Sequence, residues 1–204
     1  MPQLTLYHAA PSRSSIVRWM LEEVGQPYRT ELLGYGDTMK SAAYRAINPM
    51  GKVPALRHGD VVTTEAAAIC AYLADEFPRA KLNIPVGDRR RGPYLKWLFF
   101  GPSCIEPAMM DRAFPRKEEA RRGALGYGDF DTVMDVVAKA VSNGPYLMGD
   151  QFTAADVVIG SGLRFGMMFK LLPERTEFTA YTGRLAQRPA LQRSDAKDKE
   201  LAST

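Results

Sequence analysis

Two cysteines in 204 residues, Cys70 and Cys104, are too few for a disulfide framework, which excludes the small secreted scaffolds. Histidine is as scarce, with only His8 and His58. There is no His-Glu-x-x-His, no Cys-x-x-Cys and no clustered Cys/His set, so no metal site is expected. No apolar run approaches the ~20 residues that span a bilayer. The longest candidate, Ala66 to Ala74, is interrupted by Tyr72. The start, Met-Pro-Gln-Leu-Thr-Leu-Tyr, lacks the charged-then-apolar pattern of a signal peptide. Charge of one sign is also slight: 27 Lys and Arg against 23 Asp and Glu leave a net +4, a weak argument for nucleic acid. Gly51-Lys52-Val53 lacks the flanking residues of a phosphate loop, and Gly160-Ser161-Gly162 lacks the spacing of a nucleophile elbow. The expectation is a soluble, cytoplasmic protein without metal, nucleic-acid or membrane partners.

What is present is ordinary for a globular chain, 46% hydrophobic and 25% charged. The first part alternates strand and helix signals. Leu4 to His8 is a β-prone run. Val17, Met20, Leu21 and Val24 repeat at helical spacing, with Ser14 or Ser15 as N-cap and Gly25-Gln26-Pro27 as the stop. Tyr28 to Leu33 reads as a second strand, and 34–46 as a loop with at most a short helix. Ala55 and Leu56 enter a strand, His58-Gly59-Asp60 turns, and Val61 to Thr63 returns. Ala66, Ile69, Cys70, Leu73 and Phe77 mark one face of a further helix. His58 is expected to be solvated in its turn. His8 beside the first loop is the better candidate of the two for a ligand contact.

After Phe77 the composition changes. Residues 78–86 read as a linker, and Arg89-Arg90-Arg91 as the solvated first turn of a helix starting near Asp88. Tyr94 to Met110 predicts a long buried helix interrupted near Gly101-Pro102, and Pro115 to Val141 a second one. In Phe152-Thr153-Ala154-Ala155-Asp156-Val157, Thr153 fits an N-cap and Asp156 can reach back to its N–H, with Phe152 and Val157 as a hydrophobic staple. The fold class is α/β plus all-α: a first domain over 1–77 and an all-helical domain over 88–204.

Three stretches, Tyr7 through Gly25, Asn48 through Leu56, and Thr64-Glu65-Ala66-Ala67-Ala68-Ile69-Cys70-Ala71-Tyr72-Leu73, resemble cytosolic glutathione S-transferases, most of all their bacterial branches. Thr153-Ala154-Ala155-Asp156 resembles that family's helix-capping motif. The resemblance runs from about residue 3 to residue 192. It implies a thioredoxin-like N-terminal domain holding glutathione and a helical-bundle C-terminal domain, with an electrophile in a cleft between them and a homodimer as the usual assembly. Val53-Pro54 corresponds to the family's cis-proline turn; a cis bond costs only about 0.5–1 kcal/mol before proline. Its position offers the Val53 backbone to an extended peptide as a strand edge does. Glu65 and Ala66 open the helix whose unpaired N–H groups take the γ-glutamyl carboxylate. Many relatives carry a hydroxyl residue at the position of Ala66. Lys52 and Lys40 are candidates for a glutathione carboxylate, or equally solvated lysines.

The reaction the resemblance implies needs a thiolate, and a free cysteine thiol near pKa ~8.5 supplies only a few per cent of it at neutral pH. A hydroxyl donor, a guanidinium and a helix N-terminus each favour the anion. Ser12, Arg13, Ser14 and Ser15 bring all three to the mouth of the first helix, and Tyr7 ends the first strand nearby. Ser12 is preferred over Tyr7 as the activating hydroxyl, with Arg13 as support and Ser14 as the helix cap. Neither cysteine lies in this loop. Cys70 belongs to an apolar helix face, and Cys104 to the helix that lines the cleft in relatives. Met109, Phe114, Phe165 and Met168 are candidates for an electrophile pocket, or core residues at helical spacing. The activity implied is detoxifying transfer of glutathione to a small apolar electrophile. The alternatives are a glutathione-dependent isomerase and a non-catalytic interaction protein on the same fold.

Overall fold

Leu4–His8 forms β1, and its alternation of buried and half-buried residues gives the strand two different faces. The computed structural model describes residues 3–118 and 120–202. The loop after β1 leads into α1 (Ser14–Val24), which ends on Gly25 in the left-handed region at φ 71°, a conformation glycine adopts without strain. Then follow β2 (Tyr28–Leu32), the short helices α2 (Asp37–Lys40) and α3 (Ala42–Arg45), the hairpin β3 (Ala55–His58) and β4 (Val61–Thr64), and α4 (Ala66–Glu76). The sheet order is β2-β1-β3-β4, with β2 parallel to β1 and the hairpin antiparallel. This is a thioredoxin-like sheet.

The two faces of β1 serve two apolar clusters. Leu4, Leu6 and His8 are buried on one. On the other, half-buried Tyr7 packs with Ala9, Met39, Tyr44, Ala55, Leu33, Ile47 and Val53. Of the two histidines, His58 is buried rather than solvated: its Nδ1 lies 2.7 Å from Tyr72 Oη and its ring contacts Phe77. His58 is the last residue of β3 rather than part of the turn; paired with Leu4 and two residues from Leu56, it shares their buried face of the sheet.

The helical elements after these are α5 (Arg91–Phe100), a π-type turn over Gly101–Ile105, α6 (Glu106–Ala113), α7 (Phe130–Ser142), α8 (Ala154–Met168), α9 (Thr176–Ala186) and α10 (Pro189–Ala202). Gly101 lies where a Cβ would come within 2.9 Å of Val158 Cγ1, so the break in the expected long helix coincides with close approach to α8. The helix expected over Pro115 to Val141 forms only from Phe130, capped by Asp129, whose Oδ1 accepts the Thr132 N–H at 2.9 Å. Pro115 and the glycines at 123, 126 and 128 explain the delay, since each disfavours a helix interior.

The chain divides into one unit of Met1–Lys81 with Arg188–Thr204 and another of Leu82–Gln187. This differs from the expected limits in two places. The stretch read as a linker is pinned inside the second unit: Leu82 and Ile84 are buried, Leu82 O accepts the Ala154 N–H at 2.8 Å, and Asn83 O accepts from Gln151 Nε2 at 3.1 Å. The last helix, assigned by sequence to the helical domain, packs on α1 of the first unit. It buries Ala190, Leu191 and Ser194 and carries several ion pairs. Arg188 holds the Glu23 carboxylate through two nitrogens at 2.6 and 2.8 Å. Arg193 and Lys197 converge on Glu22, and Arg18 pairs with Asp198 at 2.6 Å. No local sequence pattern announces such long-range pairing.

Candidate active site

The loop between β1 and α1 is built around Ser14. Its hydroxyl is fully buried, accepts the Ala9 N–H at 3.2 Å, and lies 3.1 Å from Ala9 O and 2.8 Å from His8 Nδ1. Ser14 is therefore not the cap expected of it; it is the first residue of the helix, turned inward to the strand end. Ser12 supplies the capping contact instead, accepting the Ser14 N–H on Oγ at 3.0 Å. The two serine oxygens are 2.5 Å apart. Ser12 itself is half-buried. Arg13 is half-buried at the helical turn before α1, with αR backbone.

Behind Ser14 the network continues through His8. The ring is completely buried, and Nε2 lies 3.2 Å from Asp198 Oδ1 on α10. Burial pushes the Asp198 carboxyl up, but hydrogen bonds from His8 and Ser15 and the positive charges of Arg18 and His8 outweigh it and hold Asp198 below its ordinary value. Arg18 and Asp198 carry no motif in the sequence, and their place in this network was illegible there.

Tyr7 belongs to a different neighbourhood. It points to the face of the sheet opposite His8, where its hydroxyl accepts from Arg57 Nε at 3.3 Å and its ring lies 5.6 Å from that of Tyr44. The structure thus gathers Ser12, Ser14 and His8 into one hydrogen-bonded chain and leaves Tyr7 outside it.

The bonds Val53-Pro54 and Ala10-Pro11 are cis. The turn before β3 is fixed by Lys52 O, which accepts from Tyr44 Oη at 2.6 Å and Asn48 Nδ2 at 2.7 Å. The Lys52 side chain is exposed. Lys40 reaches back to this turn and donates to Gly51 O at 2.7 Å, so its ammonium ties the loop together. Glu65 is exposed at the start of α4, with φ 66° and no side-chain capping bond. A positive φ is uncommon for a residue with a Cβ. It orients the backbone ahead of Ala66, the first helical residue and half-buried.

In the second unit the four apolar candidates separate. Met109 is 2% exposed, and a Cβ on Gly166 would lie 2.8 Å from its sulfur; it is a core residue and lines no open surface. Phe114 is 75% exposed and Met168 67%, while Phe165 is half-buried with its ring 4.5 Å from that of Phe169. Cys70 is buried, and burial pushes its thiol up, as suits a core side chain. Cys104 is half-buried in the π-type turn. Among the described residues no group of His, Cys, Asp and Glu is placed to hold a metal ion, and no helix is long and apolar enough to cross a membrane.

The family model for the glutathione S-transferase N-terminal domain matches residues 6–81. Glutathione S-transferase GstA of Escherichia coli O157:H7 is 30% identical over 151 residues, 73% of this chain and 75% of that protein. The chain belongs to the glutathione S-transferase family. A glutathione transferase from Methylococcus capsulatus str. Bath superposes with a TM-score of 0.81 at 28% identity, covering 96% of this chain and 98% of that one. A theta class glutathione S-transferase from Xanthomonas axonopodis pv. citri, solved with glutathione bound, gives a TM-score of 0.73 at 26% identity over 95% and 97% of the two chains. The glutathione S-transferase match also extends to elongation factor 1-gamma of Artemia salina, 28% identical over 130 residues, 61% of this chain but 29% of that protein. A fold does not fix function, so membership of the family does not by itself carry transferase activity.

Proposed function

We propose that this member of the family is a glutathione transferase that activates the thiol through Ser12. The observation that carries the reading is half-buried Ser12 at the mouth of α1, its hydroxyl held by the Ser14 hydroxyl at 2.5 Å and the Ser14 N–H at 3.0 Å. A hydroxyl held in place loses little entropy when it meets a thiolate, and so favours the anion more than a mobile one does. The helix N-terminus and the Arg13 guanidinium add positive potential. Glutathione is expected to lie along the turn at Val53-Pro54, with its γ-glutamyl end at Glu65 and the Ala66 N–H, and with Lys52 near a carboxylate. Lys40, already bonded to Gly51 O, supports that turn more than it meets the ligand.

The electrophile is proposed to be small and apolar, with Phe114, Phe165 and Met168 as the residues available to meet it. Holding thiolate and electrophile together then supplies the rate. A cytoplasmic homodimer engaged in detoxification is the setting this reading implies. The rival is an interaction protein that has lost the chemistry. It is favoured by Ala66, which offers no side-chain hydroxyl, and by the match to a translation factor.

Calorimetry with glutathione separates the two. Binding is expected, and Glu65→Ala should weaken it by about 1.5–3 kcal/mol, the range for a hydrogen bond to a charged group. Absence of binding by the unaltered protein overturns the proposal in favour of the interaction protein. Binding without turnover of any member of an electrophile panel would overturn the transferase reading and keep the ligand.

A further inference from the structure

Residues 9–13 form the loop that carries Ser12, and the two ends of that loop are tied to each other. His8 closes β1 and Ser14 opens α1, and His8 Nδ1 lies 2.8 Å from Ser14 Oγ. The Ala9 N–H and Ala9 O meet the same oxygen at 3.2 and 3.1 Å. The Ser12 hydroxyl rests on the helix end, 2.5 Å from Ser14 Oγ and 3.0 Å from the Ser14 nitrogen. The place of Ser12 is therefore set by where the start of α1 stands relative to the end of β1.

One side chain reaches both ends from outside the loop. Asp198 Oδ1, on α10, accepts from Arg18 Nη1 of α1 at 2.6 Å and lies 3.2 Å from His8 Nε2 of β1. Ser15, beside Ser14 in the first turn of α1, hydrogen-bonds to the same carboxylate. His8 and Arg18 are both buried, so the carboxylate meets them inside the first unit and not at its rim. These contacts stand whichever atom of the His8 and Ser14 pair carries the proton. Side chains behind a reactive group are what keep it within a fraction of an ångström of its productive place.

We propose that Asp198 is a positioning residue for the Ser12 hydroxyl, and that α10 is thereby part of the thiol-activating site. The inference rests on the transferase reading and deepens it. Asp198 touches no reactant. It holds the strand end at His8 and the helix start at Ser15 and Arg18, and the loop between them keeps Ser12 in one place. Its charge works against the same chemistry, since a carboxylate near a thiol raises the thiol pKa. Position and charge therefore predict opposite signs. Loss of the charge alone lowers the pKa of the bound thiol, whereas loss of the position of Ser12 raises it.

Thiolate absorbance of bound glutathione against pH reads that sign. Asp198→Ala should raise the pKa of the bound thiol by about half a unit, a roughly threefold fall in the thiolate fraction below that pKa. Asp198→Asn, which loses the charge but keeps an acceptor oxygen in place, should show little of that rise. In the Ser12→Ala background Asp198→Ala should add nothing, because the group it positions is gone. Arg188→Ala, which frees Glu23 and leaves Asp198 with its partners, should leave the thiol unmoved. An unmoved or lowered pKa in Asp198→Ala overturns the inference. So does a rise that persists in the Ser12→Ala background, or an equal rise in Arg188→Ala, which would belong to the docking of α10 at large. Should Asp198→Ala fail to fold, Ser15→Ala carries the test, since it frees the helix end of the loop and keeps the Arg18 pair. A rise of the same sign is then expected, and an unmoved thiol overturns the inference. Each of these outcomes leaves the transferase reading standing. Failure of the unaltered protein to bind glutathione overturns that reading itself.

Discussion

At the start of α8, Asp156 takes four donors: the Thr153 N–H at 2.9 Å, the Thr153 hydroxyl at 3.1 Å, the Leu147 N–H at 2.8 Å and the Tyr181 hydroxyl at 2.8 Å. Thr153 and Asp156 are both completely buried. At the start of α1 the hydroxyls of Ser12 and Ser14 are as closely placed, yet Ser12 is only half-buried. The same residue chemistry at two helix starts therefore serves two ends. A capping box with all its partners supplied locks a loop to a helix. The serine turn is fixed on its inner side, through Ser14 and His8, and carries the proposed activating hydroxyl on Ser12.

The largest effect should come from breaking the closed start. Asp156→Ala strips partners from the Leu147 N–H and the Tyr181 hydroxyl as well as from Thr153. Each buried donor left unpaired costs ~1–3 kcal/mol, so a loss of about 3–5 kcal/mol is expected. Thr153→Ala removes the cap alone and should cost about 0.5–2 kcal/mol. Chemical denaturation of the two variants checks the order. Equal losses would mean that the contacts to Leu147 and Tyr181 contribute nothing, and the box would be no more than an ordinary cap.

The open start should respond in the other currency, chemistry rather than stability. Ser12→Ala is expected to raise the pKa of bound glutathione by about one unit, ~1.4 kcal/mol, with a stability change well below that of Asp156→Ala. Tyr7→Phe should leave the bound thiol unmoved, because its hydroxyl belongs with Arg57 on the opposite face of the sheet. Thiolate absorbance against pH in the two variants is the measurement. A shift in Tyr7→Phe alone assigns activation to the strand end and reduces the Ser12 turn to a cap.

How far each start could be read from sequence follows from the range of its contacts. The α8 box is local, since Thr153 and Asp156 are three residues apart, and the spacing alone announces it. The strands β1 to β4, the Gly25 stop and the Val53-Pro54 turn are equally local. The α1 start is local only in part. Ser12, Arg13 and Tyr7 stand out by position, but which serine caps and which turns inward depends on His8, and His8 depends on Asp198 from the far end of the chain. Met109 failed as a pocket residue for a related reason. Helical spacing marks an apolar face without saying whether it meets solvent or, as here, a glycine with no side chain to hold it off. The helix expected from Pro115 starts only at Phe130, after the glycines at 123, 126 and 128, each of which disfavours a helix interior.

The smallest expected effect is a difference of sign between the two carboxylates behind these starts. Burial pushes the Asp156 carboxyl above its ordinary value; its hydrogen bonds from Leu147, Tyr181 and Thr153 lower it, but not enough to reverse the shift. Asp198 is also raised by burial, yet its bonds from His8 and Ser15 and the charge of Arg18 bring it below. An unfolded Asp titrates near ~3.9. For Asp156, with its folded value raised, the stabilisation is fully present below that pH and is lost as pH rises through the folded value. For Asp198, with its folded value lowered, the stabilisation is present above it and is lost as pH falls through the folded value. Asn does not titrate, so each Asp→Asn variant isolates one group. The deficit of Asp198→Asn should be full at neutral pH and shrink in acid. The deficit of Asp156→Asn should be greatest in acid and shrink as pH rises. Urea denaturation across the acid range measures both. Parallel curves would show that the buried box and the ion-paired strand end differ only in partners, not in charge. Curves that cross in the expected sense would place a charge-stabilised carboxylate behind the open start and a charge-averse one behind the closed start.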